Sequence, residues 1–339
     1  MDSLWFDIYL PLIWALLIGV AVFLYVLLDG FDLGLGILYP FTKEEGERDQ
    51  MMNSVAPFWD GNETWLILGG GGLWVAFPKA YAVIMPAVYL PVIVMLLALV
   101  FRGVAFEFRF VSKPNHRWWD IAFIGGSTVA AFCQGVVLGA VVYGLPVEND
   151  QFAGGPFDWL HPFSIMCGFG VVVGYALLGS GWLMMRTEGP LREKAQRWAM
   201  PLLVALVAFI AAVSVWTPLV ISEIANRWFS LPEFLYLAPV PLLTLFFAWL
   251  ARRGIARGKG AMTFVPSVCL FLLCFVGLAV SNFPYLVPRH ITVWQAAAAP
   301  ESQLFVLLGA IPLVPIILIY TGFIYWTFRG TLKPGEGYH

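Results

Sequence analysis

Long apolar runs recur along the chain, and short polar connections separate them. An α-helix needs about 20 apolar residues to cross the hydrocarbon core of a membrane, and the runs are close to that length. They predict nine membrane-spanning helices, at about residues 8–28, 55–77, 80–101, 121–143, 161–185, 198–221, 234–250, 262–287 and 303–328. The pattern therefore predicts an all-α integral membrane protein whose residues 1–339 form a single transmembrane domain.

Basic residues test this number of spans, because lysine and arginine gather on the cytoplasmic side of a membrane protein. If the N-terminus lies outside and the connections alternate between the two sides, only Lys79, Arg227 and Arg289 fall on the outer side. The other 16 of the 19 basic residues fall on the inner side. A wrong number of spans would scramble this distribution, so we expect nine spans with the N-terminus outside and the C-terminus inside.

Composition agrees with a membrane protein and argues against other classes. Hydrophobic residues make up 60% of the chain and charged residues only 12%, whereas a soluble domain carries roughly 25% charged residues. The formal net charge is −2. Since a nucleic-acid-binding protein needs a basic surface, we expect no nucleic-acid partner.

Carboxylates in or beside the apolar runs are the first candidates for chemistry, because a charged group inside a membrane is costly. The first three spans contain or border Asp29, Asp32, Asp60, Glu63 and Glu107, whereas spans five to nine contain no acidic residue. Asp29 and Asp32 are three residues apart and share a helix face, and Asp60 and Glu63 repeat this spacing. With the sidedness above, all five lie toward the cytoplasm at graded depths, which predicts a path for protons.

A structural role is the alternative interpretation of these acids. They could pair with Arg102, Arg109 or Lys43 and only fix the positions of helices. For Asp32 and Glu107, which lie near the interface and near arginine, both interpretations stay open.

Asp60 and Glu63 favour the functional interpretation. Counted from Val55 at about 1.5 Å per residue, they lie roughly 8 Å and 12 Å inside the second span. No basic residue is close to them in the sequence, so we expect them to exchange protons rather than to form ion pairs.

The four histidines are placed unfavourably for holding a haem. His116 and His290 lie in connections, His339 is the last residue and His161 begins the fifth span. A haem is commonly held by axial imidazoles, and no pair of them lies inside a span. We therefore expect that this chain alone holds neither a haem nor a metal ion.

Glycines mark places where helices can approach each other closely. Gly30, Gly34 and Gly36 lie beside the two aspartates of the first span, and Gly69–Gly72 form a run in the second. Small residues let the backbones of membrane helices come together. We expect helix packing at these positions rather than a phosphate-binding loop, because the run is not followed by Gly-Lys-Ser or Gly-Lys-Thr.

Four segments carry a resemblance to a known family. They are DGFDLGLG (Asp29–Gly36), PFWDGNETWLILGGGGLWVAFP (Pro57–Pro78), FRGVAFEFR (Phe101–Arg109) and VPIILIYTGFIYW (Val314–Trp326). In this order they resemble the signature segments of subunit II of cytochrome bd-type quinol oxidases. The third segment and the compact length are similar to the cyanide-insensitive branch of that family.

The resemblance implies a fold and a set of partners. It implies nine helices arranged as two four-helix bundles plus one peripheral helix, with the first bundle within residues 1–144 and the outer loop and remaining helices within 145–339. It further implies a heterodimer with subunit I, which carries haems b and d, and a multi-pass location in the bacterial cytoplasmic membrane. Quinol and dioxygen are the implied substrates of the complex, and subunit II is not catalytic alone. A small single-helix accessory subunit is a further implied partner, together with a quinone or lipid between helices.

The resemblance also implies roles for individual residues. By matching segment, proton conduction falls on Asp29 and Asp60, and Arg102 and Glu107 become structural or relay partners. We expect Arg109, which lies in the same segment, to be a structural or relay residue as well. Asp32 and Glu63 stay undecided between relaying protons and fixing helices. His161 stands where relatives often have asparagine, so it receives no shared role.

Two other classes of function compete with this interpretation. A proton-coupled secondary transporter would also need intramembrane carboxylates, but such proteins often have internal repeats, and the two halves of this chain show none. A membrane scaffold would use the acids only as anchors. The optical spectrum of the protein with its natural partners distinguishes these classes, since reduced haem bands and quinol-dependent oxygen uptake belong to the oxidase alone.

Overall fold

A computed structural model describes residues 2–112, 116–333 and 335 of the chain. The fold is helical, with two small hairpins. The helices are α1 (Asp2–Leu38), α2 (Glu45–Asn53), α3 (Trp59–Ala76), α4 (Pro78–Val111), α5 (Arg117–Tyr143), α6 (Pro162–Arg186), α7 (Pro190–Val220), α8 (Ser222–Phe229), α9 (Glu233–Leu237), α10 (Pro239–Ala256), α11 (Gly260–Asn282), α12 (Val293–Ala296) and α13 (Pro300–Thr327). The antiparallel hairpins pair β1 (Val147–Glu148) with β2 (Gln151–Phe152), and β3 (Tyr285–Val287) with β4 (Ile291–Thr292).

Eight helices in the described part of the chain are long and apolar enough to cross a membrane. They are α1, α4, α5, α6, α7, the continuous pair α9–α10, α11 and α13. The predicted second span coincides with α3, which has 18 residues but opens with Asp60, Asn62 and Glu63 and is not among the eight. The multi-pass helical class is therefore established, and a ninth span stays a prediction.

Three helix ends differ from the predicted spans. The first helix does not stop near residue 28 but continues to Leu38, because both aspartates are enclosed by other helices instead of meeting water. The α4 helix extends to Val111, nearly three turns beyond the predicted end of its span at residue 101. The α3 helix begins at Trp59 rather than at residue 55. Asp60 therefore lies in the first turn of α3, closer to the end of the helix than predicted.

The first helix lies at the centre of the fold and packs against α3, α5 and α6. Its glycines allow this close approach. A Cβ on Gly34 would meet the backbone oxygen of Tyr175, and one on Gly36 would meet the side chain of Ser127. A Cβ on Gly30 would lie 2.7 Å from a ring carbon of Tyr175. The predicted helix packing at these three glycines is confirmed.

The glycine run of α3 divides between two faces. A Cβ on Gly69 or Gly72 would lie 3.0 Å from the side chain of Val22 or Ile18 of α1, respectively. No atom of the described residues lies within 4 Å of a Cβ placed on Gly70 or Gly71. One face of α3 is therefore packed against α1, and the other is available to lipid or to another protein.

A continuous core joins the two halves of the described chain. The α5 and α6 helices pack together, and α6 also packs against α1, α7 and α11. The last helix, α13, touches α1 and α3 and has none of its most apolar stretch buried within the chain. The division into two four-helix bundles and a peripheral helix stays a prediction.

Candidate functional site

A fully buried arginine of α4 gathers three carboxylates from two neighbouring helices. The Arg102 guanidinium lies 3.1 Å from Asp29 Oδ1 and 3.7 Å from Asp32 Oδ2, both on α1. It also lies 2.5 Å from Oε1 of Glu63 on α3. The exposed fraction of the side chain is 0% for Arg102, 1% for Asp29, 0% for Asp32 and 27% for Glu63. We call these four residues the Arg102 cluster.

An asparagine of α3 connects the cluster to α1 and α13. The Asn62 amide nitrogen donates to Asp32 Oδ2 at 2.7 Å and to the backbone oxygen of Leu28 at 3.2 Å. Its amide oxygen accepts a hydrogen bond from the Tyr325 hydroxyl at 3.0 Å. Both N–H groups and the oxygen of this buried amide are thereby engaged. Asn62 thus holds Asp32 in position.

Small and aromatic residues frame the arginine. A Cβ on Gly126 of α5 would lie 2.5 Å from the Ala98 carbonyl oxygen and 2.9 Å from the Arg102 backbone nitrogen, so this glycine admits the α4 backbone. The rings of Trp59 and Phe106 stack at 5.0 Å, and the guanidinium carbon lies 5.8 and 5.5 Å from their centroids. Aromatic faces attract a cation and exclude water, so the guanidinium is fixed in a dry position.

The cluster contains more acid than base. If all its groups were ionised, three negative charges and one positive charge would leave a net charge of −2. Both oxygens of Asp29 and one oxygen of Asp32 are buried without a hydrogen-bond partner of good geometry in the described part of the chain. A buried charge without compensation costs several kcal/mol, on the order of a strongly destabilising mutation. Such a group of carboxylates can bind protons and release them.

The sequence-predicted site residues separate into two sets in the structure. Asp29, Asp32 and Glu63 meet at Arg102, although Glu63 was expected to have no basic partner. That expectation was wrong because the partner is 39 residues away in the sequence. Asp60 is exposed, in the turn next to Glu63.

The fifth predicted acid lies apart from the cluster. Glu107 is exposed and follows Arg102 by five residues, which is about 140° around an α-helix. The buried side chain of Arg109 also points to a different side of α4. Glu107 therefore faces away from both arginines that flank it in the sequence.

A second buried arginine forms a separate cluster about two turns further along α4. Arg109 donates from Nε to Asp120 Oδ1 at 2.7 Å and forms an ion pair with Asp49 of α2. Asp120, at the start of α5, also accepts hydrogen bonds from the Tyr39 hydroxyl and from Arg48, each at 3.0 Å. Two guanidinium groups therefore face two carboxylates. We call Arg109, Arg48, Asp49 and Asp120 the Arg109 cluster.

The sequence interpretation missed three of these polar residues. Asp120 directly precedes the predicted fourth span, so the rule that selected the other acids could have found it. Asn62 lies between Asp60 and Glu63, and its amide inside a predicted span was a usable signal. Asp49 lies in a connection, where an acidic residue is ordinary, and no sequence signal distinguished it.

Comparisons with known proteins decide the family. Residues 10–328 match the family model described as cytochrome bd terminal oxidase subunit II. The chain belongs to the cytochrome bd subunit II family. The predicted family is confirmed, and the chain is therefore a subunit of a respiratory oxidase complex of the cytochrome bd type.

Individual relatives agree with the family. Over 95% of both chains, this subunit II is 33% identical to the cytochrome bd-I ubiquinol oxidase subunit 2 of Escherichia coli strain K12. It is 29% identical to the cytochrome bd ubiquinol oxidase subunit 2 of Bacillus subtilis strain 168, over 96% of this chain and 97% of the relative. The solved structure of the bd oxidase from Geobacillus thermodenitrificans contains a chain with the same fold, with a TM-score of 0.74, 15% identity, and coverage of 95% of this chain and 99% of that one.

The described histidines do not fit a haem held within this subunit II. The His161 ring caps α6 by accepting a hydrogen bond from the Phe163 backbone, and it stacks on Tyr143. His116 directly precedes α5, and His290 lies in the turn of the second hairpin. His339 lies outside the described residues. The three described imidazoles are thus at separate helix and hairpin ends, and no step below passes through a haem of this chain.

Proposed function

We propose that this chain supports the haem-bearing subunit I of a quinol:dioxygen oxidoreductase and supplies it with protons from the cytoplasmic side. The observation that carries the proposal is the excess of carboxylates around Arg102, where three acids meet a single base. Reduction of dioxygen to water consumes protons, so an oxidase in a membrane needs a route by which they reach the haem.

Proton exchange follows from the charge of the cluster. One guanidinium compensates one carboxylate, and the low dielectric of the membrane interior penalises the two further charges. The cluster is closest to neutral when it holds protons on its acids. Asp32 and Asp29 receive protons from the cytoplasmic side in this mechanism, and Glu63 transfers them toward Asp60.

The exposed face of α3 supports a contact with subunit I. Asp60 is exposed on this face together with Gly61, Thr64, Ile67 and Gly71, which follow one another at helical spacing. A carboxylate facing lipid would be costly, whereas small side chains suit close packing of a second helix. A partner protein is therefore the better neighbour, and protons leave this chain through Asp60.

The membrane arrangement belongs to the same proposal. The chain spans the bacterial cytoplasmic membrane nine times, with α3 as the ninth span, the N-terminus outside and the C-terminus inside. In this arrangement α1, α3, α4 and α5 form one four-helix bundle, α6, α7, α10 and α11 form the second, and α13 is peripheral. Arg102 and Arg109 then lie toward the cytoplasm, where 16 of 19 basic residues are expected.

The proposal also assigns the cofactors and the remaining partners of the complex. Haems b and d belong to subunit I, which leaves this chain without a catalytic group of its own, and the complex takes quinol and dioxygen as substrates. A groove of about 310 Å³ between α4 and α5, lined by Val94, Leu97, Phe101 and Ile121, has the apolar character that a lipid chain or a quinone tail needs. A small single-helix subunit is a further partner expected for the complex.

The substitution Asp60→Asn tests the proton route in the assembled complex. It removes the charge and the exchangeable proton while it keeps the size of the side chain. We expect quinol-dependent oxygen uptake per haem to fall at least about tenfold, as for loss of a proton-transferring group. Asp150→Asn makes the same chemical change at an exposed residue of the β1–β2 turn, and we expect it to leave turnover unchanged. Equal turnover of the two variants, at equal haem content, would remove Asp60 from the route.

A further inference from the structure

A chain of three polar side chains leads away from the Arg102 cluster into the interior of the bundle. The Tyr175 hydroxyl of α6 donates to Gln134 Oε1 of α5 at 2.6 Å. Gln134 Nε2 donates in turn to the Tyr25 hydroxyl of α1 at 2.7 Å. The exposed fraction is 4% for Tyr25 and 1% for Tyr175. This hydrogen-bonded chain joins three helices, and the proton route above does not use it.

Packing alone does not account for these residues. A hydroxyl or an amide is costly inside a membrane unless it is hydrogen-bonded, and phenylalanine or leucine would fill the same space without that cost. The ring of Tyr175 lies against the α1 backbone at Gly30, directly beside Asp29, where a Cβ would come within 2.7 Å of it. Gly30, next to Asp29, therefore leaves the space that Tyr175, the last residue of the hydrogen-bonded chain, occupies.

The direction of the hydrogen bonds points to Asp29. Because Gln134 donates to the Tyr25 oxygen, the hydrogen of the Tyr25 hydroxyl is free to donate elsewhere. Asp29 follows Tyr25 by four residues and lies on the same helix face, and within the described residues both of its buried carboxylate oxygens lack a hydrogen bond of good geometry. Tyr175 and Gln134 thus donate in the direction of Tyr25, and the remaining hydroxyl hydrogen of Tyr25 is available to the carboxylate of Asp29.

We propose that Tyr25, Gln134 and Tyr175 are positioning residues that stabilise the ionised form of Asp29 after it has passed on its proton. Hydrogen bonds in such a chain polarise one another, so Gln134 and Tyr175 strengthen the donation made by Tyr25. This role rests on the proposed function of Asp29.

The Gln134 amide also prevents protons from leaving Asp29 along the hydrogen-bonded chain. Unlike a hydroxyl or a carboxyl, a neutral amide group does not readily accept one proton and release another. A proton on Asp29 therefore has Glu63 and not Tyr175 as its next acceptor. The titratable groups that surround Asp29 on the helices packed there are Tyr25 and Asp32 of α1, Glu63 of α3, Arg102 of α4, Tyr175 of α6 and Tyr325 of α13.

Infrared difference spectroscopy of the assembled oxidase tests the proposal. The carbonyl band of protonated Asp29 is identified by its loss in Asp29→Asn and is then followed as a function of pH. We expect Tyr25→Phe to move the midpoint at which the band disappears to higher pH by about one unit, the size of one lost hydrogen bond to a charge. Gln134→Leu and then Tyr175→Phe should give successively smaller shifts in the same direction.

A matched variant separates this role from a general effect of losing a hydroxyl. Tyr89→Phe makes the same chemical change on α4 at a side chain that is 41% exposed, and it should leave the midpoint in place. If the Tyr25, Gln134 and Tyr175 variants all leave the midpoint pH unchanged, as Tyr89→Phe should at equal haem content, the positioning role is overturned. Should one of the three variants fail to assemble, the shifts of the midpoint pH in the other two decide whether the positioning role holds.

Failure of the positioning role can be distinguished from failure of the proton route. If Asp29→Asn keeps full turnover but Tyr25→Phe still shifts the Asp29 band, the route through Asp29 fails and the positioning role stands. If Asp29→Asn abolishes turnover but the band does not shift in the chain variants, the route stands and the positioning role fails.

Discussion

Two buried arginines on the same helix have similar burial but different surroundings. Arg102 and Arg109 lie seven residues apart on α4, and the side chains of both are 0% exposed. Among the described residues, Arg102 faces three carboxylates and no second base. Arg109 pairs with Asp49 and Asp120, and Arg48 pairs with Asp120 as well, so that this cluster has two acids and two bases.

In our proposal, this difference in charge balance separates the structural role of the Arg109 cluster from the proton-exchange role of the Arg102 cluster. A balanced group such as the Arg109 cluster is most stable with every member ionised, and it ties together α2, α4 and α5. An unbalanced group such as the Arg102 cluster reaches neutrality only with protons bound. Burial and ion pairing are common to both, so neither property alone identifies a functional carboxylate.

Removal of the base from the unbalanced cluster should have the largest effect. In Arg102→Met, three carboxylates stay enclosed without a cation, and breaking a buried ion pair in this way costs roughly 3–5 kcal/mol. We expect almost no assembled, haem-containing complex in membranes, measured from the reduced haem spectrum per milligram of membrane protein. Arg192→Met, at an exposed arginine of α7, should give the unsubstituted level. Normal assembly of Arg102→Met would show that the cluster does not need the guanidinium.

Neutralisation of an acid in the balanced cluster should affect stability and leave activity intact. In Asp120→Asn, Arg109 keeps Asp49 but loses a charge-assisted hydrogen bond, and Arg48 loses its carboxylate partner. We expect the unfolding free energy to fall by about 2 kcal/mol, seen as a lower temperature of haem release on heating. Turnover per haem should not change. A large loss of turnover without a loss of stability would contradict the structural role of this cluster.

The exposed acid between the two arginines should have the smallest effect. Glu107→Gln changes a side chain that faces away from both clusters, so we expect quinol-dependent oxygen uptake per haem within about twofold of the unsubstituted complex, as for a surface substitution. The measurement sharpens the comparison, because Glu107 lies in the same FRGVAFEFR segment as the two arginines. A strong loss of turnover would add Glu107 to the proton route.

The sequence predicted the membrane class, the family and most helices, because apolar runs and the glycines beside Asp29 act locally. It did not predict the pairing of Glu63 with Arg102, since 39 residues of chain separate them and only the packing of α3 and α4 brings them together. The apolar pattern also predicted that the first span ends just before Asp29. A carboxylate normally marks the end of a membrane span, and the sequence alone does not show that Asp29 is buried. Asp120 was not predicted as a site residue because it lies one residue before a predicted apolar run.

Proton uptake during a single turnover tests the contrast between the two clusters most directly. The assembled oxidase is placed in liposomes, and the uptake of protons from the cytoplasmic side is timed with a pH-sensitive dye while bound dioxygen is reduced. For Asp29→Asn we predict uptake at least about tenfold slower than in the unsubstituted complex, whereas Asp120→Asn, with the same haem content, should take up protons at the unsubstituted rate. Equal rates in Asp29→Asn and Asp120→Asn would contradict the assignment of proton exchange to the Arg102 cluster.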